Sequence, residues 1–139
     1  MRKLFPVLLL ATLTAVGYSQ QPPPHIGEWD AKLYSETKEF KGNGYFYFSE
    51  DGTLQIIEYE PHRFPITWFG KYVINYSKHP ISIDIEWEKE QSVSLPIHGI
   101  VRFIGEKKDR MHIVYDTKTR PSSFHSDSPF LWLTKKVKK

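Results

Sequence analysis

From Pro80 onward the chain runs Ile81-Ser82-Ile83-Asp84-Ile85-Glu86-Trp87-Glu88, an unbroken alternation of apolar and polar residues. A period of two puts Ile81, Ile83, Ile85 and Trp87 on one face of a strand and the polar residues on the other. A strand with one dry and one wet face belongs to an antiparallel sheet wrapped or stacked around a core. The pattern therefore constrains the architecture strongly and the chemistry hardly at all.

Further strands follow the same logic. Residues 28–34, 45–48, 54–59, 68–76, 97–104, 110–115 and 130–134 are rich in β-branched and aromatic side chains and are separated by turn-forming residues. Asp51-Gly52 between two such runs marks a tight hairpin. No apolar period of 3.6 persists long enough for a substantial helix, and only residues 36–40 leave room for a short helical turn. Eight short strands in close succession predict an all-β fold, an antiparallel meander closing into a small barrel so that no strand edge is exposed. A two-sheet β-sandwich is the alternative.

Residues 1–19 read as an export leader: Arg2 and Lys3 precede an apolar run through Val16, and Gly17-Tyr18-Ser19 supplies small residues at the positions a signal peptidase reads. The apolar run is shorter than the roughly 20 residues of a spanning helix, so no transmembrane span is expected once the leader is removed. Residues 20–24, with three consecutive prolines, predict an extended tether. Residues 25–139 then form a single domain ending in a basic tail. The chain has no cysteine, so burial alone must hold an exported fold together, and 4 Trp, 8 Tyr and 9 Phe provide the apolar area. Losing Arg2 and Lys3 lowers the formal charge from +3 to +1, and the remaining excess sits in Lys135, Lys136, Lys138 and Lys139. A nucleic-acid partner is not expected, because the body of the domain carries no basic stripe.

Catalytic signatures are missing. There is no Gly-x-Ser-x-Gly elbow, no thiol and no His-Glu-x-x-His, and the six histidines are scattered without ligand spacing. Neither metal nor cofactor is implied, and those histidines read as solvated or turn residues. Asp84, Glu86 and Glu88 share one strand face with neighbours about 7 Å apart, a separation at which carboxylates can act on a glycosidic bond. The wet side of an amphipathic strand is the simpler explanation, since nothing nearby is placed to raise one of their pKa values.

Gly27-Glu28-Trp29 at the opening of the first strand resembles the lipocalin Gly-x-Trp, whose tryptophan plugs one barrel end beneath a late cation. Lys135 or Lys136 occupies the matching late position. Over most of its length the chain also resembles a small lipocalin-like domain of unknown function abundant in exported planctomycete proteins. The shared elements are Gly27-x-Trp29, Asp51-Gly52, Gly70-x-Tyr72, the 80–85 strand, Gly99-Ile100-Val101 and Arg120-Pro121-Ser122-Ser123-Phe124. The resemblance implies a lipocalin-like barrel and no established activity. It also makes Gly27 and Trp29 structural positions. Arg120, before Pro121 in the polar loop leading into the last strand, reads as structural from its own chemistry: its five donors can tie that loop to carbonyls or a carboxylate, with Phe124 anchoring the loop by burial.

Bulky inward residues predict a narrow or plugged interior. Trp68, Trp87, Phe103 and Tyr115 are the candidate ligand-lining residues. Pairing Ile104 with Arg110 turns Ile100, Arg102, Ile104, His112 and Val114 outward, an apolar-rich patch expected to meet a second protomer, a partner or the proline tether. The expected function is that of an exported, periplasmic or extracellular, non-enzymatic module. It would hold a small apolar ligand at the barrel mouth or a protein partner on its outer face. A structural or inhibitory partner domain is the alternative, and a hydrolase using Asp84, Glu86 and Glu88 a remote third.

Overall fold

The alternating segments become eight strands: β1 (Gly27–Tyr34), β2 (Phe40–Phe48), β3 (Thr53–Tyr59), β4 (Ile66–Asn75), β5 (Ile81–Trp87), β6 (Ile97–Ile104), β7 (Arg110–Asp116) and β8 (Phe130–Lys135). The computed structural model describes residues 21–59, 61–88 and 95–137, so the leader expected at 1–19 lies outside the described residues, with Gln20, Lys138 and Lys139. Each strand pairs antiparallel with its neighbour in sequence, and β8 returns to β1, closing the barrel. No helix occurs among the described residues. The all-β antiparallel barrel is the expected architecture, and the sandwich alternative falls away.

Period-two alternation fills the interior. Trp29, Phe46, Phe48, Leu54, Ile83 and Ile113 are buried together with the facing residues of β7 and β8. At about 25 cal/mol per Å², burial of this kind is the main favourable term for a fold without disulfides. Gly99 is the one small inward position of β6. An added Cβ there would stand 2.9 Å from the Val114 carbonyl oxygen and 3.0 Å from Ile83, so a side chain would push β6 off both neighbours. The β6–β7 register pairs Gly99 with Tyr115, Val101 with Ile113 and Phe103 with Met111, as the residue pattern predicts.

Four local expectations are corrected. Strand β2 begins at Phe40 rather than residue 45, and the segment expected to turn helically is a tight reversal in which Ser35 N–H donates to the Glu39 carbonyl and Glu39 N–H to the Ser35 hydroxyl. Gly42 and Gly44 hide that strand from pattern reading. Gly42 is glycine because a Cβ would lie 2.9 Å from the Tyr59 carbonyl oxygen.

The proline segment is not a free tether at its end. Ile26 N–H donates to the Pro23 carbonyl in a turn that drops His25 into the barrel end beside the start of β1, where it is buried.

The outward patch on β6 and β7 is not the open surface expected: most of it is covered within the chain. Ile100 and Val114 are each 1% exposed and His112 5% because the chain's own β7–β8 connection, residues 117–129, straps across them. Phe124 lies 5.6 Å from the His112 ring and 4.7 Å beneath the Arg102 guanidinium, while Pro121 is buried. An apolar face left by the barrel register is thus covered within the same chain, and Ile104 alone of the remaining apolar residues stays half-buried at its margin.

Candidate functional site

The meander gives the barrel two chemically different ends. One collects the start of β1 and the end of β8, and its plug is built from Trp29, which is fully buried. Trp29 Nε1 donates to the His25 carbonyl at 2.9 Å, and Lys135 Nζ sits 5.2 Å from the indole while donating to the Pro24 carbonyl at 3.1 Å. Lys135 rather than Lys136 takes the position over the ring; Lys136 reaches Asp30 and Tyr45 outside. Gly27 leaves room for the Lys135 stem, 3.4 Å from where its Cβ would be. His25 Nδ1 lies 2.6 Å from the Tyr76 hydroxyl and Nε2 lies 3.2 Å from the Tyr72 hydroxyl, which donates to the Ser49 carbonyl. Burial first, and then the Lys135 charge, pull His25 down to about 4. Burial likewise pushes the Tyr72 and Tyr76 phenols up to about 12. The network is neutral and closed on itself.

The other end carries most of the predicted ligand-lining residues. Trp68 opens β4 and Trp87 closes β5, with ring centroids 5.7 Å apart. Trp87 fits there because it faces Gly70 across the ladder. Tyr115, opposite Gly99, reaches the same end; burial and then the carboxylates of Glu58 and Glu36 raise its phenol pKa. Those two glutamates have no pattern that marks them in the sequence, since they become neighbours only through closure. Phe103 is inside the barrel but at the plugged end, stacked on Tyr76 at 6.2 Å, because the antiparallel path returns the end of β6 to that side. The four predicted lining residues therefore divide three to one.

Polar satisfaction differs sharply within this rim. Trp87 Nε1 donates to the Leu95 carbonyl at 3.0 Å, whereas the buried Trp68 Nε1 has no partner among the described residues. Leaving such a donor unmet costs about 1–3 kcal/mol. Around it the loops present bare apolar side chains: Phe64 is 93% exposed and Leu95 60%.

Outside the barrel, Arg120 anchors the strap. Its Nη1 donates to the Ile83 and Gly99 carbonyls at 3.1 and 2.8 Å, and its Nη2 donates to Asp84 Oδ1 at 2.7 Å. His98 Nδ1 lies 2.8 Å from the same oxygen. Desolvation pushes the Asp84 carboxyl up, but the hydrogen bonds of His98 and Arg120 and the guanidinium charge outweigh it and hold the pKa below the usual range. Glu86 faces Lys71 across the β4–β5 ladder on the outer wall, away from any concavity shared with Asp84. Among the described residues, no group of three His, Asp or Glu is placed to hold a metal ion. Comparison with protein-family models and with curated proteins found no match.

Proposed function

We propose that the protein is an exported, non-enzymatic binding module. Its ligand is small, predominantly apolar and equipped with a hydrogen-bond acceptor, and it docks at the rim of Trp68, Trp87 and Tyr115. The observation that carries this reading is the Trp68 indole N–H, which meets no acceptor among the described residues and is set among apolar surface. A buried donor without an acceptor is a cost that an incoming acceptor removes. Phe64 and Leu95, exposed on two loops of the same end, supply apolar contact that folding leaves unused. The filled interior argues for a ligand held at the rim rather than swallowed as in a roomy barrel. A carboxylate-based hydrolase is disfavoured, because such chemistry needs one carboxyl with a raised pKa and Asp84 is shifted the other way.

Titration with 1-anilinonaphthalene-8-sulfonate, an apolar probe bearing acceptor oxygens, tests the site. Saturable fluorescence enhancement that is lost in Trp68→Phe and Trp87→Ala supports it. Enhancement indifferent to both substitutions removes it.

A further inference from the structure

A second, independent surface lies on the opposite wall. The β8–β1–β2–β3 ladders align Trp132, Lys32, Asn43 and Tyr59 directly opposite one another on successive strands. These residues line a groove of about 580 Å³ floored by Ala31 and Gly44, within the size range of small-molecule sites. Three strand spacings separate the terminal rings by about 14 Å, so an occupant touching both must be longer than one ring.

The rings are held in place by their neighbours. Trp132 stacks on His112 with centroids 4.2 Å apart and planes 5° from parallel, which fixes the indole while its other side borders the groove. Tyr34, at one rim, stacks on Phe130 at 4.7 Å. Tyr59 is 46% exposed. Between the rings the polar groups are uncommitted: the Lys32 ammonium, the Asn43 amide, the Thr134 hydroxyl and Trp132 Nε1 make no hydrogen bond with the described residues. Asp30 lines the groove beside Lys32, so its lining side chains carry one charge of each sign.

We infer that this groove binds a short neutral oligosaccharide, with sugar rings stacked on Trp132 and Tyr59 and hydroxyls bridged by Lys32 and Asn43. Pyranose rings combine apolar C–H faces with a fringe of hydroxyls that both donate and accept. That chemistry matches fixed aromatic planes separated by unpaired donors and acceptors. Other ligand classes fit less well. A peptide strand has no edge to join in a closed barrel. A polyanion would meet Asp30 as well as Lys32, and a lipid tail would have to cover the polar centre of the groove.

The test is NMR titration of the ¹⁵N-labelled protein with cellotriose, chitotriose and xylotriose at millimolar concentration. At least one sugar should give saturable shifts at Lys32, Asn43, Tyr59 and the Trp132 indole. Asn43→Ala and Tyr59→Ala, both on the outer wall and outside the core, should each weaken that binding by about tenfold at unchanged melting temperature. Silence from all three sugars overturns the inference. So do shifts confined to Trp68 and Trp87, which would assign the sugar to the rim, and so does undiminished binding in both variants.

Discussion

The plugged end and the aromatic rim use similar residues to opposite effect. At the plug, every polar atom of Trp29, His25, Tyr72 and Lys135 named above has a partner, and the partners come from both ends of the chain and from the middle. At the rim, Trp68 has none among the described residues, and the neighbouring loops expose Phe64 and Leu95. Aromatic content alone does not separate structure from binding in a small barrel. Under the proposed reading, satisfaction of the polar handles does, because an unmet buried donor has no structural benefit.

The contrast breaks most readily at Trp29. Trp29→Ala should cost about 3–5 kcal/mol in urea unfolding, the range for deleting a buried large aromatic, and a loss below about 1 kcal/mol would show that the plug is not structural.

Acid should act next. His25 and His112 are each held near 4, His112 by burial and then by the charges of Arg102 and His125. Their unfolded-state values lie near 6.5, so between pH 6.5 and 4 the unfolded chain takes up protons that the folded one refuses. Stability is whole above pH 6.5 and falls as pH drops toward 4, by up to ~3 kcal/mol per histidine. Urea midpoints at pH 7 and pH 4 measure the loss. His25→Gln should remove about half of it, and an unaltered slope would deny His25 its neutral, buried role.

Arg120→Lys should be smaller, about 1–3 kcal/mol, since an ammonium cannot reach two carbonyls and Asp84 in the same fork. An unchanged melting temperature would mean the strap is held by Pro121 and Phe124 alone. Least of all, Trp68→Phe should change stability by under about 1 kcal/mol, because the lost area is offset by removal of an unmet donor. A loss above about 2 kcal/mol would make the rim a second plug and erase the distinction.

The barrel was largely legible in the sequence because alternation is a local signal. The β6–β7 register was legible too, since slipping it by one residue would drive Arg102 inward without a partner. The beginning of β2 was not, because Gly42-Asn43-Gly44 lacks alternation, and at Gly42 the Tyr59 backbone approaches too closely for a side chain. His25 was invisible for a different reason: its partners Tyr72 and Tyr76 lie 47 and 51 residues away. The strap over Ile100 and Val114 escaped likewise, because residues 117–129 have no period. Their cover explains the apolar face without an outside partner. At the candidate rim, the aromatic rings could be read from composition and alternation. The unmet donor of Trp68 and the glutamates beside Tyr115 could not, because both depend on how the ring closes.

Closure of that ring has a kinetic meaning as well. The contact between Lys135 and Pro24 spans 111 residues, and the β1–β8 ladder spans nearly as many. The length-dependent entropy of bringing such distant segments together is about 4 kcal/mol. No other ladder needs so large a loop, since each remaining strand pairs with its immediate neighbour. The seven local hairpins can therefore form early, while the seam and the plug that lies across it form together and late. Until the last strand arrives, β1 presents an open edge capable of accepting the wrong strand. The period before closure is when this chain is most exposed to aggregation.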